Sequence, residues 1–296
     1  LSIKYEDNIG IIVILGLILL TLISYITIFF IPHSYLLNLL IFFIWFIFFI
    51  KNLRNIKNLK FVIIITSILF IGLLVSKTHD DFAFYHFQTA LNLTRNKIQI
   101  GLSNLDFSYA KHSSLLYLNS LFYLPYFKYY FFNAPNQIFL TAIILSFYIY
   151  AYNDENHSFL RIFSFASITY ILLKFTRASE YGTDVIGQLL ILLFIYNIFQ
   201  FFKAKNKIIR ENILVLSGII CIFCVTLKTY FVFYTLIYLF LLIKIYRNFF
   251  INFIKKRITF IFSIFLICIS YSLLNIISSG CLIYPIPFLC FENFIW

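Results

Sequence analysis

The sequence predicts an all-α fold, a polytopic bundle of transmembrane helices, and three observations carry that prediction. Of the 296 residues, 62% are hydrophobic and only 11% are charged, whereas a soluble globular chain is usually about one quarter charged. The mean hydropathy is +0.95. Long apolar runs alternate with short basic loops, so membrane topology explains the net charge of +12 better than nucleic-acid binding does, and no nucleic-acid partner is predicted.

The apolar runs predict about nine spans in a single transmembrane domain, residues 1–296, because a helix that crosses a bilayer needs roughly 17–25 residues. The predicted spans are residues 10–31, 35–50, 61–76, 137–152, 159–174, 185–202, 213–228, 230–245 and 257–277. The apolar stretch 114–132 is interrupted by Pro125 and Lys128, so we interpret it as an interfacial or re-entrant segment. Because the chain lacks Met and starts at Leu1, we expect it to be a fragment of a longer protein.

Basic residues orient these spans. Alternation of the spans places the basic loops on one side, which the positive-inside rule makes the cytoplasm; these loops are residues 51–60, 203–212 and 244–257. The segments on the opposite side are residues 77–136, 175–184 and 278–296. We therefore expect an integral protein of a bacterial inner (plasma) membrane, in contact with membrane lipids, with its chemistry on the outer, periplasmic side.

The first large outer loop, 77–136, opens with the stretch KTHDDFAFYHFQTALNL. Thr78 is a suitable N-cap for a helix that begins at His79, with Asp80 and Asp81 in its first turn near the positive end of the helix dipole. The apolar residues of this helix predict that it lies on the membrane surface and ends before residue 101; they are Phe82, Phe84, Phe87, Leu91 and Leu93.

The acidic pair has two interpretations. Asp80 and Asp81 either cap and solubilise a helix end, or act as catalytic carboxylates. Ionisable groups at the mouth of a span are costly unless they are used, and His79, Tyr85 and His86 lie within about one and a half helical turns of the pair. We therefore predict Asp80 and Asp81 as catalytic and these three neighbours as substrate-binding residues.

A zinc site on this helix is not expected. Asp81 and His86 are five residues apart, which a regular helix does not place on one face. His79 and His86 share a face but would lie about 10 Å apart along the axis, too far for one ion. No metal ligands are predicted, although one carboxylate that helps donor phosphates to hold Mg²⁺ or Mn²⁺ stays an open alternative.

A second acidic segment, KFTRASEYGTDVIGQLL, covers residues 174–190. Arg177, Glu180 and Asp184 are spaced three and four residues apart, so a helix would align them. This alignment gives either a salt-bridged turn of little energetic consequence or a second substrate-binding group that faces the acidic pair across the outer mouth of the bundle.

Outer cations can stabilise a leaving phosphate, and the candidates are Lys77, Arg95, Lys111, Lys174, Arg177 and Lys228. A single cation at the end of a span is most often an interfacial anchor. Lys174 and Arg177 stand beside acidic residues, which favours a binding role for them. Lys228 lies at the tip of the turn LKTY, from which it either reaches a phosphate or anchors the turn.

The cysteines fall into two groups. Cys221 and Cys224 form a C-x-x-C inside a predicted span, and without a second pair they indicate packing rather than metal or redox chemistry. Cys281 and Cys290 lie on the outer side, where they can form a disulfide that closes a proline-containing loop or can stay unpaired.

Multiple spans with an acidic pair that opens the first large outer loop resemble the GT-C superfamily of integral membrane glycosyltransferases, over about residues 61–200. That superfamily includes protein O-mannosyltransferases, oligosaccharyltransferases and lipid A aminoarabinose transferases. The resemblance implies that Asp80 or Asp81 is the catalytic base, and that a polyprenyl-phosphate-type lipid-linked sugar is the donor. It also implies a glycan, lipid or protein acceptor. The acidic motif usually follows the first span in that superfamily, whereas two further apolar runs precede it here.

Three other functions compete with sugar transfer. A transporter or flippase of a lipid-linked or small polar substrate would place its acids deep within spans and show inverted repeats. An O-antigen ligase or polymerase would need a large outer loop rich in Arg and His. A Ser–His hydrolase could use His112 with Ser113 or Ser114, but the G-x-S-x-G elbow is absent.

Overall fold

The computed structural model describes residues 8–52, 59–74, 79–153, 158–246, 257–284 and 286–291. The described residues form an all-α bundle; they contain two isolated β-bridges but no β-strand. Its α-helices are α1 Ile9–Ile28, α2 Tyr35–Asn52, α3 Leu59–Leu69, α4 His86–Arg95, α5 Ser114–Leu121, α6 Ala134–Asn153, α7 Ser158–Leu173, α8 Phe175–Ser179, α9 Asp184–Lys203, α10 Lys207–Leu227, α11 Val232–Tyr246 and α12 Ile258–Ser279. Short 3₁₀ turns lie at Phe70–Leu74, Asp80–Phe82, Leu102–Asn104, Phe107–Ala110, Tyr129–Phe131, Thr229–Phe231 and Pro287–Leu289.

Several of these helices are apolar enough to cross a bilayer. Five segments of the described chain have the required length and hydropathy: Ile9–Ile28, Tyr129–Tyr152, Asp184–Lys203, Lys207–Leu227 and Ile261–Ser279. Four shorter apolar helices are Tyr35–Lys51, Val62–Leu74, Ser158–Leu173 and Thr229–Ile243. The protein is therefore membrane-embedded, and the nine segments follow the order of the predicted spans, while the count of nine crossings stays a prediction.

Exposed apolar side chains mark the surfaces that face lipid. On α2, Phe43 is 65% exposed and Phe46 is 56% exposed, and Phe265 on α12 is 57% exposed. An aqueous surface rarely carries contiguous apolar area of this extent. These faces are therefore suited to contact with hydrocarbon, where burial against protein is not needed.

Helix α6 lies at the centre of the bundle and packs against α1, α7 and α9. Its Phe147 and Tyr150 are fully buried, and the Tyr150 ring stacks on Tyr196 of α9 with centroids 4.5 Å apart. At Gly10 of α1 a Cβ atom would collide with the Ala142 carbonyl of α6. Glycine at this position therefore permits the close approach of the two helix backbones.

The segments predicted to share the outer side meet at one end of the bundle. The Ile98 amide donates to the Ile28 carbonyl at the end of α1 (3.1 Å), and the Gly101 amide donates to the Ile277 carbonyl near the end of α12 (2.8 Å). We call this the acidic end; it comprises residues 79–136, 177–184, 227–231, 277–284 and 286–291. At the opposite end Arg257 lies 3.7 Å from the Glu211 carboxylate, so the predicted basic loops approach each other there.

The Cys281 and Cys290 side chains form a disulfide at the acidic end. The bond closes the short loop after α12, in which the Leu282 amide donates to the Leu289 carbonyl (2.8 Å). Of the two alternatives for Cys281 and Cys290, a disulfide or two free thiols, the structure shows the disulfide. Cys221 and Cys224 are buried in α10 without a disulfide, in agreement with a packing role.

The segment after α3 differs from the predicted surface helix. Thr78 lies outside the described residues; the observed cap is His79, whose ring accepts a hydrogen bond from the Asp81 amide (3.1 Å). The helix breaks at Tyr85, which has non-helical backbone angles and a 3% exposed ring, and α4 starts only at His86. Burial of the tyrosine overrides the local helix preference, since such preferences are weak beside tertiary packing.

The predicted membrane-facing side of this segment also packs against protein. Phe82, Phe87 and Leu91 pack around a core of Tyr85, Ala90, Leu116, Phe132 and Tyr181. Leu93 is 5% exposed, and only Phe84 of the predicted apolar face is largely exposed, at 75%. The predicted apolar face of this segment therefore packs largely against α5 and its neighbours, and α4 ends at Arg95, before residue 101 as predicted, while its position at the membrane surface stays a prediction. The stretch 114–132 contains the short, wholly buried α5 rather than a span, as predicted.

Candidate functional site

A charged cavity of about 190 Å³ lies at the acidic end. Its walls come from the capping His79, from the end of α7 and from the segment that connects α8 to α9. The lining residues are His79, Tyr170, Lys174, Arg177, Glu180, Gly182, Asp184, Val185, Gln188 and Leu189. His79 of the first acidic segment and Glu180 and Asp184 of the second therefore line one cavity, whereas Asp80 and Asp81 are not among its lining residues.

The two predicted catalytic carboxylates, Asp80 and Asp81, have different surroundings in the structure. Asp81 is half-buried; its carboxylate accepts a hydrogen bond from the Tyr85 hydroxyl (3.4 Å) and lies 3.9 Å from Nδ1 of His79. Asp80 is exposed to solvent. Because Nδ1 of His79 accepts the Asp81 amide, a neutral His79 ring carries its proton on Nε2. Asp81 is thus the carboxylate that belongs to the group of polar side chains.

His86 is the most enclosed member of the group, with 1% exposure. Its ring lies 5.5 Å from the His79 ring and 4.4 Å from the Tyr85 ring, measured between centroids. Neither ring nitrogen has a hydrogen-bond partner among the described residues. Burial, and next the charge of Lys228, lower the pKa of His86 to about 4, so the ring is neutral at pH 7.

The expected 10 Å separation of the two histidines is wrong. That estimate assumed one continuous helix, whereas the 3₁₀ turn Asp80–Phe82 and the break at Tyr85 bring the rings together. Even so, no three His, Cys, Asp or Glu side chains in the described part of the chain are arranged to hold a metal ion. The alternative of a cation held jointly by one carboxylate and donor phosphates stays a prediction.

Tyr85 connects this group to a lysine whose position the sequence did not predict. Burial, and next the negative charge of Asp81, raise the pKa of Tyr85 well above its usual value, so its hydroxyl remains a donor. Nζ of Lys111 lies 5.5 Å from the Tyr85 ring centroid and 5.2 Å from that of Phe107. Lys111 was one of several outer cations in the sequence, but no spacing pattern placed it over Tyr85.

The second acidic segment is not the single helix that its spacing predicted. Helix α8 ends at Ser179, Glu180 is extended, and α9 begins at Asp184. Arg177 pairs with Glu180 (3.7 Å), whereas Asp184 pairs with Lys228 (3.0 Å) across the bundle. The ion pair at Lys228 therefore joins two outer turns that are far apart in sequence.

Close packing and an asparagine explain the break between α8 and α9. A Cβ atom at Gly182 would lie 3.3 Å from the His79 ring, so the chain passes close to the first acidic segment here. The Asn136 side-chain amide donates to the Glu180 carbonyl (3.2 Å) and to the Gly182 carbonyl (3.1 Å). Sequence reasoning missed Asn136; the signal was a polar residue at the start of an otherwise apolar span.

An apolar groove of about 780 Å³ adjoins the charged cavity and shares Tyr170 and Gln188 with it. The remaining lining residues are Phe163, Ala166, Ser167, Ile191, Leu192, Ile195, Tyr230, Phe231, Phe233 and Tyr234. They belong to the parts of α7, α9 and α11 next to the acidic end and to the 3₁₀ turn Thr229–Phe231. The groove extends roughly 10 Å along α7, at 1.5 Å per helical residue.

The suggested Ser–His pair does not form. Nε2 of His112 contacts the Ser278 hydroxyl, and Nδ1 of His112 accepts from the Tyr117 hydroxyl (2.9 Å). Ser114 instead bonds to Tyr25 (2.5 Å). The structure therefore places neither Ser113 nor Ser114 beside His112 as a hydrolase nucleophile.

Fold and site together define a membrane-embedded all-α protein with a charged cavity at one end of its bundle. The chain belongs to the family described as "Domain of unknown function (DUF8201)", whose sequence model matches residues 1–296. No curated protein matches the chain, and no solved structure does.

Proposed function

We propose that the protein is a membrane glycosyltransferase that moves a sugar from a polyprenyl-phosphate-type lipid donor to a lipid, glycan or protein acceptor. The acidic end then lies on the outer, periplasmic face of a bacterial inner membrane. The observation that carries the proposal is the continuity of the charged cavity with the apolar groove through Tyr170 and Gln188. A lipid with a charged, hydroxyl-rich headgroup matches that pair of environments.

The charges of the cavity suit a phosphate group. Arg177 and Lys228 are each balanced by a nearby carboxylate, Glu180 and Asp184 respectively. Lys174 lines the same cavity, is exposed, and has no ion-pair partner among the described residues. Lys174 therefore supplies the uncompensated positive charge that attracts an anionic headgroup, while the carboxylates can accept hydrogen bonds from sugar hydroxyls.

The apolar groove suits the hydrocarbon chain. It lies between α7, α9 and α11, with rings from Phe163, Phe231 and Phe233 along its walls. Shorter apolar helices of the described chain, Ser158–Leu173 and Thr229–Ile243, contribute two of these walls. A donor dissolved in the bilayer can therefore enter sideways, with its headgroup already at the depth of the cavity.

In the proposed reaction Asp81 is the base. The acceptor oxygen attacks the anomeric carbon, its proton passes to the Asp81 carboxylate, and the bond from the anomeric carbon to the donor phosphate oxygen breaks. The phosphate leaves with the electron pair, and Lys174, assisted by Arg177, stabilises the added negative charge. The Tyr85 hydroxyl orients Asp81 through their hydrogen bond. Asp80, which is exposed, takes no part in this scheme.

The adjacent aspartates provide a matched test. The full-length protein in lipid vesicles would receive labelled polyprenyl-phosphate sugars, and transfer would be measured for Asp81→Asn and Asp80→Asn at equal expression. We expect a loss of about 100-fold or more for Asp81→Asn, as for other general bases, and near wild-type transfer for Asp80→Asn. A parallel sample with EDTA tests the Mg²⁺ or Mn²⁺ alternative.

Two results would contradict the proposal. Asp81→Asn with full activity would remove the carboxylate from the chemistry. A wild type that transfers no sugar from any donor, yet moves the labelled lipid across the vesicle membrane, would make the protein a flippase and leave Asp81 without a catalytic role.

A further inference from the structure

The loop between α5 and α6 forms a tight aromatic turn. Leu124 and Lys128 form an antiparallel bridge, in which the Lys128 amide donates to the Leu124 carbonyl (2.7 Å). Tyr126 and Lys128 have positive φ angles of 68° and 47°, which residues with side chains rarely adopt. We call residues 124–131 the aromatic tip. The bridge and the hydrogen bond between Leu124 and Lys128 hold this turn in place.

The aromatic tip presents its rings to the outside. Tyr126 is 96% exposed, Tyr130 is 73% exposed and Phe127 is 53% exposed. The rings also pair with one another, since the Tyr129 and Tyr130 centroids are 4.4 Å apart. Single exposed aromatic residues are common, but a contiguous group of them marks an interaction surface.

The position of the tip indicates what it contacts. The apolar segment long enough to cross the membrane runs from Tyr129 to Tyr152, so it begins inside the tip. Helix α6 itself starts at Ala134. Tyrosine is enriched where membrane spans pass through the lipid headgroups, and lysine places its charge at the same level. Lys128 is exposed between the aromatic residues.

We infer that the aromatic tip inserts into the headgroup layer of the leaflet next to the acidic end. Tyr126, Phe127 and Tyr130 lie among the upper acyl chains and glycerol groups, and Lys128 contacts lipid phosphates. This inference does not depend on sugar transfer. It has a consequence for the site, because the Tyr129 ring packs edge-on against Phe87 of α4 (centroids 5.7 Å apart). The bilayer thus supports the helix that begins with His86.

Fluorescence of a single tryptophan tests the inference. The native tryptophans, Trp45 and Trp296, are replaced by Phe, and Tyr126→Trp supplies the reporter. Asn104→Trp, exposed in a different loop of the acidic end, is the matched control. Both proteins are placed in phosphatidylcholine–phosphatidylglycerol vesicles that carry a spin label either on the headgroup or deep in the acyl chain.

We expect blue-shifted emission from the Tyr126→Trp protein, with a larger loss of fluorescence for the headgroup label than for the deep label. The Asn104→Trp protein should be quenched by aqueous iodide instead. Iodide quenching of the two reporters to the same extent would overturn the inference. Protection of the Tyr126→Trp reporter by a soluble oligosaccharide in lipid-free detergent would also overturn it, because the tip would then be a glycan-binding surface.

Discussion

Two kinds of buried histidine occur in this molecule, and they differ in hydrogen bonding rather than in charge. Nδ1 of His33 bonds to the Ser120 hydroxyl (2.6 Å) and Nε2 of His33 bonds to the Thr27 hydroxyl (3.0 Å). His112 likewise uses both nitrogens. His86 is equally enclosed, but neither of its nitrogens has a partner in the described part of the chain.

Hydrogen-bond partners, and not the pKa, distinguish His86 from the other two histidines. Burial lowers the pKa of His33, His86 and His112 to about 4 in each case, so a depressed pKa alone does not identify a site. Buried polar atoms in native proteins are nearly always hydrogen-bonded, and exceptions call for an explanation. The hydrogen bonds of His33 and His112 connect loop residues to helices, for example His33 to Ser120 of α5 and His112 to Ser278 of α12. His86 has no such bond among the described residues, and its role in substrate binding stays a prediction.

The largest expected effect is on stability, at His33. His33→Phe removes the hydrogen bonds of the ring to the Ser120 and Thr27 hydroxyls and to the Ser24 carbonyl, so we expect the free energy of unfolding to fall by about 2–4 kcal/mol. Thermal unfolding in detergent measures this, with His86→Phe as the control of the same chemistry. Equal unfolding temperatures for the two variants would contradict the distinction between the two kinds of histidine.

The pH dependence of stability tests the same rings. In the folded protein His33 and His112 stay neutral down to about pH 4, whereas in the unfolded chain they take up a proton near pH 6.5. The unfolded state therefore binds more protons between these values. The free energy of unfolding should fall as the pH drops from 6.5 to 4, by about 3 kcal/mol for each ring, and then level off. Unfolding temperatures measured across this range should decline less steeply in His33→Phe than in wild type; identical slopes would contradict the assignment.

The sequence predicted the part of this architecture that depends on hydropathy and charge. The order of apolar helices and the gathering of the outer segments at one end followed from local composition. The break at Tyr85 did not, because burial of that ring outweighs helix preference. Nor did the contact between His112 and Ser278, which are separated by 166 residues, since no local pattern encodes so distant a contact.

For His86→Phe we expect a change in sugar-transfer activity rather than in stability. His86→Phe removes two unpartnered nitrogens from a site ringed by Tyr85, His79 and Tyr181, so stability should stay within about 1 kcal/mol of wild type or increase. Loss of one substrate hydrogen bond should reduce sugar transfer about 10- to 100-fold. A folded His86→Phe protein with wild-type transfer would assign the ring to packing.

The smallest expected effects concern two buried tyrosines, Tyr117 and Tyr85, whose hydroxyl hydrogen bonds differ in length and partner. The Tyr117 hydroxyl donates to His112 at 2.9 Å, whereas the Tyr85 hydroxyl reaches Asp81 at 3.4 Å. Tyr117→Phe should lower the free energy of unfolding by about 1 kcal/mol, the usual net worth of a hydrogen bond, and leave transfer unchanged.

Tyr85→Phe should change stability by less than about 0.5 kcal/mol, because its bond is long, yet lower transfer by releasing Asp81. Unfolding temperatures and transfer rates of the two variants measure both quantities on matched changes. If the Tyr85 variant lost stability and kept its transfer rate, the hydroxyl would belong with the structural bonds of His112, and Asp81 would need no orienting group.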